Sequence, residues 1–120
     1  MRIDHEAKVR TRDGHAAGHV KQAIWDARGS EINEYVVTTG GLVGHDVIVS
    51  KEMLESAARD GSEIVLDISK HDLDQLARYE STRYTTPPAD WVAPPVSGFP
   101  TGSHLFPVAE SEIADRERTT

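Results

Sequence analysis

Glu34-Tyr35-Val36-Val37-Thr38-Thr39-Gly40-Gly41-Leu42-Val43-Gly44-His45-Asp46-Val47-Ile48-Val49-Ser50 reads as two strands meeting at a glycine-rich corner. Tyr35–Thr39 and Val47–Val49 are β-branched and aromatic runs of strand length, and Gly40, Gly41 and Gly44 supply backbone freedom between them. Leu42 and Val43 sit inside the corner, where a plain solvent turn would place polar residues. Apolar side chains there either plug the end of a barrel or meet a partner. The corner is not a phosphate loop, because no helix start and no Lys-Ser/Thr pair follows it.

Upstream, Lys8–Arg12 alternates and runs into Asp13-Gly14, a pair suited to a hairpin turn. The returning strand, Gly18–Asp26, predicts Val20 and Ile24 on one face, with Ala23 and Trp25 on the other. Gly18 marks a bulge or a close backbone approach. Ala27–Ser30 is a turn, and Ile32–Thr39 makes the third strand.

Downstream, Lys51–Arg59 places Met53, Leu54, Ala57 and Ala58 at helical spacing, so propensity favours a helical turn between two strand-like runs. Ser62–Ile68 alternates, with Ile64, Leu66 and Ile68 on one face. Ser69 followed by Asp72 has the spacing of a capping pair, and a short helix is expected to run to about Tyr79, burying Leu73 and Leu76. The expected core is Val20, Ile24, Tyr35, Val37, Val47, Val49, Ile64, Leu66, Ile68, Leu73 and Leu76.

From residue 82 the composition changes. Pro87-Pro88, Pro94-Pro95, Pro100 and Pro107 argue against helix and against a central strand, which predicts an extended tail. Its aromatics Tyr84, Trp91, Phe99 and Phe106 recur every seven or eight residues and suit an extended strap docked on a β surface. The division is therefore residues 1–81 as one β domain and residues 82–120 as a docked tail containing proline and aromatic residues.

The order Lys8-Val9, Asp13-Gly14, Gly18-His19-Val20, Ile24-Trp25-Asp26, Ile32, Tyr35-Val36-Val37 and Gly40-Gly41-Leu42-Val43-Gly44-His45-Asp46-Val47-Ile48-Val49 resembles the PRC-barrel domain over about residues 7 to 80. Its most specific element is the Gly-Gly-Leu-Val-Gly corner followed by a β-branched strand. The family is named for the cytoplasmic part of the photosynthetic reaction-centre H subunit, and its barrel also forms the C-terminal half of a ribosome-maturation factor. The resemblance implies a small closed β-barrel of six-strand class, with one short helix, that serves as a non-catalytic protein-contact module. Ser50 departs from the proline that often follows the Val-Ile-Val type strand. Neither a membrane helix nor a preceding domain stands ahead of the barrel residues, so neither named role is expected to carry over intact.

Charge and chemistry narrow the function. The net charge is −7, with 15 acids and 10 bases in residues 1–81 and 5 acids and 3 bases in residues 82–120. Neither portion has the basic cluster that nucleic-acid binding uses, so no direct nucleic-acid contact is expected. Cysteine is absent, which excludes disulfides and thiolate zinc sites. No apolar run is long enough for a membrane span and the first residues lack a signal-peptide core, so a cytoplasmic protein is expected.

His15 and His19 would lie about 13 Å apart on a strand, too far to share a metal. His45 and Asp46 would point to opposite faces of a strand, and nothing completes a triad around His104 and Ser103. Glu63 and Asp67 fit an exposed strand face. No catalytic residue, cofactor or metal site is assigned.

The apolar surplus of Trp25, Leu42, Val43, Trp91, Phe99 and Phe106 is the better clue, and these are the candidate protein-contact residues. Either the tail covers the chain's own patch, or the patch serves a protein partner, foremost a second copy in a homodimer with crossing tails. The leading expectation is a homodimeric, non-catalytic interaction module for adaptor or assembly work. A second is an RNA-metabolism or ribosome-associated accessory factor acting through a protein partner. A third is a small hydrolase or metal enzyme using His45 or His104.

Overall fold

The structure is a computed structural model that describes residues 3–39, 45–60, 62–92 and 99–118. The corner Gly40–Gly44, with Leu42 and Val43, lies outside the described residues. The strands are β1 (Lys8–Arg10), β2 (Ala16–Trp25), β3 (Ile32–Thr38), β4 (Val47–Ser50), β5 (Ala58–Asp60), β6 (Glu63–Val65), β7 (Tyr84–Thr85) and β8 (His104–Pro107). The helices are α1 (Lys51–Ala57), α2 (Lys70–Asp74) and α3 (Glu110–Arg118). The chain is mainly β, as the alternating patterns predict.

The main sheet runs β4-β3-β2-β1-β6-β5, and β8 joins it by pairing with β2. The expected closed barrel is not formed: among the described residues β4 and β5 end the path and do not pair. The reason lies in α1, which contacts β3, β4 and β6 and so occupies the gap between the two ends. Its Leu54 is fully buried in the main core. Helical spacing at Met53, Leu54 and Ala57 thus resolves as a true helix, capped where the Ser50 hydroxyl accepts from the Met53 N–H at 3.2 Å.

The expectation of a single short helix is corrected accordingly to α1 and α2 in the first 81 residues and α3 in the tail. α2 begins as predicted: Ser69 and Asp72 form a capping box. It stops at Asp74 rather than near Tyr79 because residues 77–79 turn to serve the outer edge of β4. There the Ile48 N–H donates to the Ala77 carbonyl at 2.8 Å and the Tyr79 N–H to the Asp46 carbonyl at 3.0 Å.

β2 is the longest strand, and its neighbours are placed by its irregularities. β1 pairs antiparallel with its first half, where Val9 faces Gly18 and Arg10 faces Ala16, leaving Ala17 as the extra residue of a bulge. Gly18 has φ +128°, and a Cβ there would lie 1.7 Å from the Thr38 carbonyl oxygen. Bulge and close approach thus coincide at this glycine.

A second irregularity against β3, between Val20 and Gln22, overturns the simple alternation. Val20 and Ala23 face the main core, whereas Ile24 points to the opposite face. One unpaired residue in a strand of period two reverses every side chain after it.

The main core holds Val9, Val20, Tyr35, Val37, Val47, Val49, Leu54, Ile64, Leu66 and Leu73, with Ile68 and Leu76 packed at its margin. Burial, with a smaller contribution from Glu55, pushes the Tyr35 hydroxyl up to about 12. The other face of β2, β3 and β4 carries a second apolar cluster of Ile24, Val36, Ile48 and Leu105, flanked by Tyr79 and Tyr84. This sheet is therefore apolar on both faces.

Replacing Gly18 by alanine forces both a positive φ and a clash with backbone. We expect Gly18→Ala to lower the unfolding free energy by about 2–4 kcal/mol in urea denaturation. Gly14→Ala, also at positive φ but with nothing within 4 Å of the added carbon, costs about 1–2 kcal/mol. Equal losses at the two sites would contradict the close approach.

Candidate functional site: the aromatic strap on the second strand

The tail docks on its own chain. β8 pairs parallel with the second half of β2, Ala23 opposite His104 and Ile24 opposite Leu105, along the edge that β1 has left free. β7 then pairs antiparallel with β8, Tyr84 opposite Pro107 and Thr85 opposite Phe106. The expectation of a purely extended tail is corrected in two places. Residues 104–106 lack proline and form a strand with partners on both sides, while Pro107, with no N–H, falls at its last position. Beyond the last proline, Glu110–Arg118 is helical.

Trp25, Trp91, Phe99 and Phe106, four of the six sequence candidates, are brought together by this docking. Trp25 is 3% exposed, Phe99 8% and Phe106 7%. Trp91 lies 5.0 Å from Trp25, 5.2 Å from Phe106 and 5.2 Å from His104, ring centre to ring centre, all close to perpendicular. Such edge-to-face contacts suit the quadrupoles of aromatic rings. Phe99 turns toward the main core, against Tyr35 at 5.9 Å and His5 at 5.6 Å. Tyr84, the first of the periodic tail aromatics, stacks on Tyr79 at 5.6 Å on the second apolar face.

Two indole N–H groups fasten the strap. Trp25 Nε1 donates to His104 Nδ1 at 3.0 Å in a buried setting, and Trp91 Nε1 donates to the Gly29 carbonyl at 3.0 Å. Gly29 is the turn residue between β2 and β3, at φ +71°; a Cβ there would meet Trp91 Nε1 at 2.4 Å and Phe106 Cζ at 2.5 Å. Asp26 shapes this turn. Its carboxylate accepts from the Arg28 and Ser30 N–H groups and from the Ser30 hydroxyl, and these bonds, the hydroxyl's foremost, hold its pKa below the usual carboxylate value.

Sequence reasoning read Ala27–Ser30 only as a turn and missed Gly29 as a seat for tail aromatics. It also weighed His104 only for catalysis, whereas its Nδ1 accepts from Trp25. Burial pushes the His104 pKa below the usual histidine value, and a hydrogen bond with the Phe99 backbone partly opposes this. His45 contributes its backbone carbonyl to the Thr39 hydroxyl at 2.6 Å. Among the described residues no group of three or more His, Asp or Glu side chains is placed to hold a metal ion.

Two concavities flank these elements. One, of about 570 Å³, lies beside the strap between Pro87, Trp91, Phe99 and His104. The other, of about 960 Å³, is an open groove between α1 and β6, with Met53, Ala57, Ala58 and Ile68 along its floor and Arg12, Glu52 and Asp67 at its rim. β5 borders that groove and, among the described residues, pairs only with β6.

Removing the indole N–H at position 25 leaves a buried imidazole nitrogen without its donor. Trp25→Phe is expected to lower stability by about 1–3 kcal/mol, more than Trp91→Phe at about 0.5–1.5 kcal/mol, in chemical denaturation. The reverse order would show that the Gly29 bond, not the His104 bond, holds the strap.

No family model matches the chain. Over 55 residues, 46% of this chain, the sequence is 38% identical to the outer spore wall assembly protein SHE10 of Eremothecium gossypii. The matched stretch spans 10% of that protein's length, so the similarity is to a small part of a much longer chain. Among the described residues no helix is long and apolar enough to cross a membrane.

Proposed function

We propose that this chain is a non-catalytic protein-contact module of the PRC-barrel type, working in adaptor or assembly roles and self-associating as a homodimer. The observation that carries the reading is the open groove between α1 and β6. Met53, Ala57, Ala58 and Ile68 pack against the core yet stay partly exposed, and the end of the sheet beside them is unpaired among the described residues. Apolar side chains on a concave surface with a polar rim have the make-up of a protein interface.

Side-chain docking in the groove suits the site better than strand addition. β5 has three residues and an irregular register, a short and distorted edge that resists pairing with another strand. The rim carries both signs, Arg12 against Glu52 and Asp67. Arg12 and Asp67 pair at 3.5 Å within the chain, and an isologous contact can exchange such a pair between two copies, which favours a second copy as the occupant. Crossing tails are not needed in such a dimer, since β8 already pairs with β2 of its own chain.

The similarity to an assembly protein is compatible with a protein partner. His104, one of the two histidines weighed for catalysis, supports the non-catalytic reading because its Nδ1 is engaged by Trp25 in a buried contact. A cytoplasmic place belongs to the same reading.

Sedimentation velocity on the full chain provides the test. A dimer is expected, together with at least a tenfold weaker association in Ser56→Arg, which puts a long charged side chain on the exposed wall of the groove without touching the core. A wild-type monomer at concentrations up to about 1 mM, or a dimer indifferent to Ser56→Arg, overturns the groove as the contact surface.

A further inference from the structure

We propose that the docked tail is a proton-sensitive latch, in which protonation of His104 turns its bond with Trp25 into a clash of two donors, releases β8 from β2 and uncovers apolar surface. This goes beyond the groove-mediated contact proposed above and does not depend on it.

The geometry fixes the tautomer. Trp25 Nε1 has only a hydrogen to offer, so His104 Nδ1, 3.0 Å away, must hold a free lone pair. The ring proton then sits on Nε2, the nitrogen free to donate, and a hydrogen bond joins the His104 side chain to the Phe99 backbone. A second proton has only Nδ1 to occupy. There it would face the indole N–H across a hydrogen-bond distance, in a site where His104 is 3% exposed.

The groups that face His104 offer the cation no counter-charge. From β2 comes Trp25, and from the tail Trp91 and Phe99. None of these titrates. His104 is the titratable residue of β8, and no charged side chain contributes to its shift. The titratable rings His5 and Tyr35 touch Phe99 on the core side. Lys21 of β2 is engaged with Asp46, and Asp26 with Ser30.

The sign follows from where the proton binds better. Docked His104 is harder to protonate than a free histidine at 6.5, so the released state takes up the proton first as pH falls. The proton-linked penalty on docking is absent above about 6.5 and grows below it, with the ratio of released to docked chains rising by up to tenfold per pH unit until the docked form also titrates. Release strips Leu105 from Ile24, Val36 and Ile48 and frees the β2 edge at Ala23 and Ile24. It also uncovers Trp25, one of the residues whose size and apolarity make it a contact candidate. The latch therefore couples acidification to exposure of a second contact surface.

The experiment is NMR on the intact chain between pH 7.5 and pH 5. In the wild type, the Leu105 and Phe106 amides and the Trp25 indole N–H are expected to lose their native shifts on acidification, while Lys8–Arg10 of β1 and Glu63–Val65 of β6, which pair with each other away from β8, keep theirs. His104→Asn, whose side-chain oxygen can accept from Trp25 but which takes no proton, is expected to hold native shifts at both pH values. His5→Asn is expected to behave as wild type. The latch is overturned if β8 keeps its native shifts at pH 5, or if His5→Asn abolishes the response. Direct titration of the His104 ring carbons in the wild type decides the matter even if His104→Asn does not dock. A pKa at or above 6.5 with β8 in place would mean that the surrounding rings stabilise the cation, and the latch fails.

Discussion

Ile24, Val36 and Ile48 point away from the main core, and a sheet with apolar side chains on both faces has to be covered on both. The rest of the architecture answers that constraint. On one face the N-terminal segment, α1, α2 and the β1–β6–β5 portion of the sheet close over Val20, Tyr35, Val37, Val47 and Val49. On the other face the cover comes from the tail, through Leu105 and Tyr84, joined by Tyr79 just ahead of it. The tail is thus a structural layer of the domain rather than an appendage.

β2 makes this arrangement possible because it is long and interrupted. Its first half pairs with β1 and its second half with β8 along one edge, while β3 occupies the other edge. The irregularity after Val20 reverses the facing of the second half and places Ile24 where Leu105 can reach it. A strand of strict alternation would have sent Ile24 into the main core with Val20. The second face would then have had a smaller apolar patch for the tail to cover.

The strap and the groove divide the labour of apolar surface. Trp25, Phe99 and Phe106 are buried within the chain, where Trp25 donates to His104 and Trp91 packs on Trp25 and Phe106 while donating to the Gly29 carbonyl. What stays partly open is the end of the sheet that α1 bridges without sealing. Apolar surface near the outside of this molecule is therefore concentrated at two places of different character. One is permanently accessible between α1 and β6, and the other lies under a tail held by a few directional bonds.

The sequence by itself determined the segments that form β1 to β4 and β6, the hairpin at Asp13-Gly14, the capping of α2 by Ser69 and the special role of Gly18. Each of these depends on residues within a few positions of one another, through side-chain alternation, allowed φ or local hydrogen bonds. It also marked Trp91, Phe99 and Phe106 as anchors of a docked tail, since large aromatics at regular intervals in a proline-containing segment need a surface. Tertiary structure alone decided that the sheet stays open, that Ile24 changes face, that α2 stops early and that His104 serves Trp25. These outcomes depend on contacts between residues far apart in the chain, Trp25 with His104 and Ile48 with Ala77 among them. Local propensity carries no information about such pairs, because the energy that decides them exists only once both partners have been brought together.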